Sequence, residues 1–216
     1  LSNLSRKSYE DGERLRRQSE VIRRYTPHGI WEEVGMRAAR GEYEVPDGEF
    51  KGAFLFMDVK GFTSFSESHA PSEVVRELNG ILDPATGAVY ACGGDVDKFI
   101  GDCLFAAFPS ADAALEAASR MLALVAGRKR RGSPFEVRIG INWGRAVRAN
   151  VGSPSRREYT YIGDAVNLAQ RMESNASPGH VLLAAAAWKR LKRRPKARRR
   201  VVSVKGKAEP VAAYEV

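Results

Sequence analysis

From Phe50 onward the order of strand and helix patterns leaves few folds open. An apolar strand is followed by two helices, a strand, a tight hairpin into a second strand, a helix and another strand. That order predicts an α+β fold with a ferredoxin-like β-α-β-β-α-β core, an antiparallel-rich sheet, and added C-terminal strands and helices. Helices are expected on one face of the sheet. Residues 54–59 read as a near-continuous apolar strand, Ser64-x-x-Glu67 as a capping box that starts a helix, and Pro71 as the opening of a longer helix reaching about Tyr90. Gly93-Gly94 stops that helix. Residues 95–99 and 102–108 read as two strands separated by Ile100-Gly101. Residues 111–126 form an alanine-rich helix, 135–142 a strand, and 146–151 its antiparallel partner. Residues 153–158 are a polar excursion, and Asp164 caps a helix to about Ser174. Residues 181–183, 201–204 and 211–216 are short closing strands.

The segment before this pattern differs in kind. Residues 1–48 read as a helical lead-in, rich in Arg and Glu and broken at Pro27 and Gly29, and residues 49–216 as the domain proper. The longest apolar runs, 53–57 and 181–187, fall well short of the roughly 20 residues that cross a bilayer. Residues 1–24 are polar and Arg-rich and do not read as a signal peptide. A cytoplasmic protein is expected. Because the chain starts at Leu1, it is expected to be a piece of a longer protein, in which an upstream sensor domain and membrane attachment of the parent stay open. Cys92 and Cys103 lack metal-ligand spacing and read as buried thiols in a reducing compartment. The formal charge of +9 is concentrated in residues 189–200, where nine of twelve are Lys or Arg. Such a run suits an anionic membrane surface or a solvated connection between Trp188 and the next strand. No aromatic residue interleaves it, which argues against stacking of single-stranded nucleic acid.

Four islands, residues 56–63, 96–102, 159–171 and 204–207, carry chemistry. Asp58 ends the apolar strand and is followed by Lys60-Gly61-Phe62-Thr63, a turn into a helix N-terminus. A carboxylate there can hold a divalent cation, while backbone N–H groups at Gly61, Phe62 and Thr63 face phosphate oxygens. In Val96-Asp97-Lys98-Phe99-Ile100-Gly101-Asp102, a turn at Ile100-Gly101 makes Phe99 and Asp102 a facing pair and sets Lys98 against Cys103. Lys98 and Asp102 are then expected on opposite sides of the hairpin, serving different sites, as in a dimer with sites at its interface. Asn167 and Arg171 are four residues apart on one helix and share a face. An Arg among apolar neighbours is compensated by an adjacent anion. Together the islands describe a site for a nucleoside triphosphate and its metals.

The motifs Phe-Met-Asp-Val-Lys-Gly-Phe-Thr at 56–63, Val-Asp-Lys-Phe-Ile-Gly-Asp at 96–102, Arg-Ile-Gly-Ile-Asn at 138–142, Tyr-Thr-Tyr-Ile-Gly-Asp-Ala-Val-Asn at 159–167 and Val-Lys-Gly-Lys at 204–207 resemble, in order and spacing, the catalytic domain of class III nucleotidyl cyclases. The resemblance covers residues 53–216. It implies a head-to-tail homodimer with two composite sites. Asp58 and Asp102, with the carbonyl of Val59, would bind two Mg²⁺ or Mn²⁺ ions. From the other protomer, Lys98 and Thr160 would read the purine, and Asn167 and Arg171 would act on the ribose and the transition state. Arg145 and Lys205 fall where the family places phosphate-contacting cations.

The implied reaction is attack of the ribose 3′-hydroxyl of ATP on the α-phosphorus, giving 3′,5′-cyclic AMP and pyrophosphate. Lysine can donate to N1 of adenine and threonine can accept from its N6 amine, whereas guanine presents the opposite pattern. ATP is therefore the expected substrate. A guanylate cyclase and a catalytically silent nucleotide-binding domain are the alternatives. Gly93-Gly94-Asp95 resembles the Gly-Gly-Asp/Glu hairpin of diguanylate cyclases, but it precedes the strand instead of forming the turn.

Overall fold

Strand β1 (Gly48–Lys60) is covered on both faces. Ala53, Leu55, Met57 and Val59 enter one buried cluster, and Phe54 and Phe56 another. Successive strand side chains alternate between faces, so a central strand reads as an unbroken apolar run. The computed structural model of the protein describes residues 3–130, 132–204 and 209–216. Its contacts divide it into two units, Leu1–Val45 and Pro46–Val216. The first carries helices α1 (Asn3–Arg24) and α2 (His28–Ala38). Among the described residues no helix is long and apolar enough to cross a membrane.

In the second unit β1 leads into α3 (Phe62–Ser68) and α4 (Pro71–Ala91), then β2 (Asp95–Ile100), β3 (Cys103–Phe108), α5 (Ala111–Lys129) and β4 (Glu136–Ser153). There follow β5 (Arg156–Ile162), α6 (Asp164–Asn175), β6 (Val181–Ala184), α7 (Ala185–Trp188), β7 (Arg198–Val202) and β8 (Val211–Glu215). The strand order is β2-β3-β1-β4-β6-β8-β7, with β5 paired to β4 off this path. The first four strands are antiparallel to their neighbours, which is the expected ferredoxin-like core. The parallel pair of β4 with β6, and antiparallel β8 and β7, extend it.

Four local expectations change. Helices cover both faces, not one. Helices α4 and α5 pack on the face of Leu55, Met57 and Ile139. Helix α6 lies on the other, through Ala165, Val166 and Ala169 against Phe54, Phe56 and Phe105, and through Met172 against Leu182. Glycines admit it at close range. A Cβ on Gly140 would lie 1.9 Å from the Glu173 backbone nitrogen, and one on Gly144 would lie 2.5 Å from Cβ of Ala165. Gly144 thus serves helix approach, not a turn. Strand β4 runs unbroken for 18 residues, and its far half pairs with β5 instead of with its own first half.

Helix α3 begins directly after Gly61 at φ 85°, so Ser64 lies inside it and caps nothing. The left-handed glycine ends the strand and opens the helix earlier than a side-chain cap would. In the hairpin Ile100 pairs with Cys103, and the turn is Gly101-Asp102, with Gly101 at φ 62°. Lys98 faces Phe105, not Cys103. The register also shifts at Asp97, between Val96 and Lys98. The parity that set Lys98 and Asp102 on opposite sides therefore fails: Asp102 is in the turn, and Lys98 shares its face with Phe105 of the α6-side cluster.

Candidate active site

The α6 side of the sheet carries two polar clusters. The first is acidic. Asp58 is directly opposite Cys103 on one side and Arg138 on the other, at the end of β1. The Arg138 Nε donates to Asp58 Oδ2 at 3.0 Å, and an Arg138 Nη donates to the Ser174 carbonyl at 3.3 Å. Glu173 Oε1 lies 2.6 Å from Arg138 Nε but off its N–H direction, which is spent on Asp58. One guanidinium therefore joins Asp58 to the C-terminal turn of α6. Burial raises the Glu173 carboxyl above its ordinary range, and Arg138 partly offsets this. In the adjacent turn Asp102 is also raised, first by burial and further by the charge of Asp58, against a lowering by its own backbone hydrogen bond and by Arg138.

The second cluster is built from β2 and β5. Asp97 is 3% exposed, and its Oδ2 accepts the Thr160 hydroxyl at 2.6 Å. Lys98 Nζ lies 3.8 Å from the same oxygen and is hydrogen-bonded to Glu158. Arg148 pairs with Asp95 at 3.0 Å and stacks over Tyr159 and Tyr161, 4.9 and 5.0 Å from their ring centres. Below lies an aromatic floor in which Phe56 and Phe105 stack at 4.5 Å and Phe54 meets Tyr161 edge to face. Burial pushes the Asp97 carboxyl up to about 6, against the lowering influence of Thr160, Lys98 and Arg148.

Asn167 and Arg171 follow one turn apart on α6, Asn167 exposed and Arg171 half-buried. Among the described residues neither side chain has a hydrogen-bond or ion partner. Asn142, buried on β4, donates from its amide to the Ala165 carbonyl at 2.9 Å and so fixes the first turn of α6. Phe62 packs against Phe135, leaving only its backbone for ligand contact, while Gly61 and Thr63 are exposed. Arg145 is exposed on β4 opposite Lys51. Lys205 lies outside the described residues.

Asp97, Arg138, Asn142 and Glu173 were not singled out from the sequence as site residues. The signal for two of them, Arg138 and Asn142, was present. Arg138, Gly140 and Asn142 alternate along an otherwise apolar strand, which marks one of its faces as facing something polar or very close. The basic run, by contrast, is mostly exposed between α7 and β7, with Leu191 buried, Arg190 over Trp143 at 5.5 Å and Arg200 bonded to Glu215. Both cysteines are free, and burial pushes the Cys103 thiol up to about 12.

The adenylate and guanylate cyclase catalytic domain model matches residues 51–215. The chain belongs to that family. The adenylate cyclase of Anabaena cylindrica is 36% identical over 181 residues, covering 75% of this chain and 36% of that protein. This chain thus spans about a third of that relative's length. The crystal structure of the adenylyl cyclase CyaB from P. aeruginosa matches with a TM-score of 0.74 at 31% identity, covering 80% of this chain and 96% of that one. The guanylyl cyclase Cya2 matches nearly as well, with a TM-score of 0.70 at 30% identity over 80% of this chain and 94% of that one.

Proposed function

We propose that this chain is the catalytic domain of an adenylate cyclase, converting ATP to 3′,5′-cyclic AMP and pyrophosphate at sites shared between two protomers in a head-to-tail dimer. The observation that carries the reading is the pairing of an acidic cluster at Asp58 and Asp102 with a separate Lys98–Asp97–Thr160 network on the same side of one sheet. By strand spacing alone, Asp58 and Lys98 stand on the order of 12 Å apart, across β3 and two residues along it. Two copies meeting through this side bring the acids of one chain against the base-reading network of the other.

The acidic half is suited to divalent cations. Asp58 and Asp102 offer hard oxygen donors, as does the Val59 carbonyl. Among the described residues no group of three or more His, Cys, Asp or Glu forms a self-sufficient cage. Triphosphate oxygens would complete the coordination. Two Mg²⁺ or Mn²⁺ ions held by Asp58, Asp102 and the Val59 carbonyl would supply activation of the 3′-hydroxyl and neutralise the triphosphate. Arg138 bonds Asp58 and so would compete with a cation there.

The remaining roles belong to this chain's side chains. Lys98 donates to adenine N1, and Thr160 accepts from the N6 amine. Asn167 holds the ribose so that the 3′-hydroxyl lies in line with the α-phosphorus. Arg171, which has no hydrogen-bond or ion partner among the described residues, stabilises charge growing on the phosphate oxygens in the transition state. Backbone N–H groups at Gly61, Phe62 and Thr63 hold phosphate oxygens, and Arg145 and Lys205 add positive charge. The protein acts in the cytoplasm as the output part of a longer sensor.

Likeness to guanylyl cyclase Cya2 supports a second reading, cyclisation of GTP. Product chromatography after incubation with Mn²⁺ and either ATP or GTP separates the two. Cyclic AMP as the dominant product, at a rate per mole that falls on protein dilution, is the expected result. Cyclic GTP alone would overturn the substrate assignment. Neither product, with intact nucleotide binding, would leave only a regulatory domain.

A further inference from the structure

Asp97 is neither a proposed metal ligand nor a proposed base contact, yet it is the most buried polar group of the second cluster. Consecutive residues of a regular strand face opposite ways. Here the register shift between Val96 and Lys98 breaks that rule, and both Asp97 and Lys98 reach β5: Asp97 at Thr160, Lys98 at Glu158. A bulge beside a site commonly re-aims a side chain in this way.

The contact has a direction. A carboxylate only accepts hydrogen bonds, and a threonine hydroxyl has one proton and two lone pairs. At 2.6 Å from Asp97 Oδ2 the Thr160 proton is committed to the carboxylate. What Thr160 can offer a nucleotide is then a lone pair. Among the described residues no group donates to Asp97 Oδ1, and the Lys98 ammonium 3.8 Å from Oδ2 favours the ionised form.

We infer that Asp97 is a specificity-determining positioning residue: by accepting the Thr160 proton it fixes Thr160 as an acceptor, which suits the N6 amine of adenine and opposes the O6 of guanine. This rests on the proposed reading of Lys98 and Thr160 as the base contacts. Asp97 itself touches no substrate. Removing its negative charge releases the hydroxyl to rotate and donate, so a 6-oxo purine is then accommodated. The groups facing Asp97 are Lys98 and Asp95 from β2, Arg148 from β4, and Thr160 and the Tyr161 phenol from β5. Since its carboxyl titrates at about 6, acid should have the same effect as neutralising substitution.

The test is the ratio of kcat/KM for ATP to that for GTP, measured with the full chain and Mn²⁺ for wild type, Asp97→Asn and Thr160→Val, with Lys98→Ala as a control on the base-reading assignment. A structural role alone would lower both values and leave the ratio. The expected result is a fall in the ratio of roughly tenfold or more in both variants. In the wild type the ratio should also fall as pH drops below about 6, with a flat profile for Asp97→Asn. If Thr160→Val shifts the ratio and Asp97→Asn leaves it unchanged, the role of Asp97 is wrong while the base-reading assignment stands. If Thr160→Val and Lys98→Ala both leave it unchanged, the base-reading assignment itself fails. Should Asp97→Asn not fold, the wild-type profile decides: a constant ratio from about pH 5 to 8 contradicts the inference.

Discussion

The two clusters on the α6 side of the sheet solve opposite problems. Around Asp58 and Asp102 negative charge accumulates and, among the described residues, is met by Arg138, tethered to Glu173 and the Ser174 carbonyl. Around Lys98 and Thr160 the charges are already matched within the chain, and what is fixed is the direction of hydrogen bonds. In the proposed reading the first cluster exchanges Arg138 for cations and the second is a preset template, so displacing a partner is the operating step in one and the failure in the other.

Breaking the acidic half should have the largest effect. Asp58→Ala removes a proposed metal ligand and leaves Arg138 to Glu173 and the Ser174 carbonyl, so metal-dependent turnover falls by roughly a thousandfold or more, while gel filtration still reports a folded dimer. Arg171→Ala should follow, with kcat down about 10² to 10³-fold and KM for ATP nearly unchanged, the split expected of a group acting in the transition state. A steady-state series in ATP reads both numbers.

Effects on stability come next. Gly140→Ala places a Cβ where the Glu173 backbone nitrogen lies, 1.9 Å away. Helix α6 must shift, at a cost of about 1–3 kcal/mol in denaturant unfolding. Asp97 contributes a pH dependence of the opposite sign to an ordinary paired carboxylate. Its folded pKa of about 6 is above the unfolded value, so it costs stability when ionised, and that cost is relieved as pH falls through 6 towards 4. Acidification from pH 7 to 5 should stabilise wild type relative to Asp97→Asn by about 1 kcal/mol, measured by urea midpoints at each pH. The smallest change belongs to Glu158→Gln. That residue is half exposed, so loss of its pair with Lys98 shifts stability by less than about 1 kcal/mol. It also frees the Lys98 ammonium and should lower the KM for ATP a few-fold, by about two- to fivefold.

The contrast also explains what could be read in advance. Residues 54–59, apolar on both faces, and the helical repeats of α4 and α5 announce a central strand and its cover, so the β-α-β-β-α-β core was legible. So was Asp58 as the acidic residue that interrupts the apolar run before Gly61, although β1 continues to Lys60 and a charge stabilising the following helix was an equal reading of Asp58 alone. The hairpin was misread by one residue. Gly-Asp is itself a favoured loop pair, and a turn at Gly101-Asp102 would have been the better choice. The shift at Asp97 could not be seen, because a bulge answers to its neighbours across the sheet and leaves no periodic trace. Strand β5 was missed in part for a related reason. Arg156, Arg157 and Glu158 are exposed, and only Tyr159 to Tyr161 carry a buried pattern. The pairs Asp97–Thr160 and Arg138–Glu173 join elements distant along the chain, so no local pattern names one partner from the other.

Complementation between two inactive variants tests the shared site most directly. Asp58→Ala and Arg171→Ala each disable a different half. In a head-to-tail dimer of the two, one site carries both defects and the other carries neither. Mixed in equal amounts and allowed to exchange, the variants should recover about a quarter of wild-type cyclic AMP formation, since half the dimers are mixed and each has one intact site. A mixture no more active than the sum of its parts, with exchange of subunits verified, would contradict a site built from two chains.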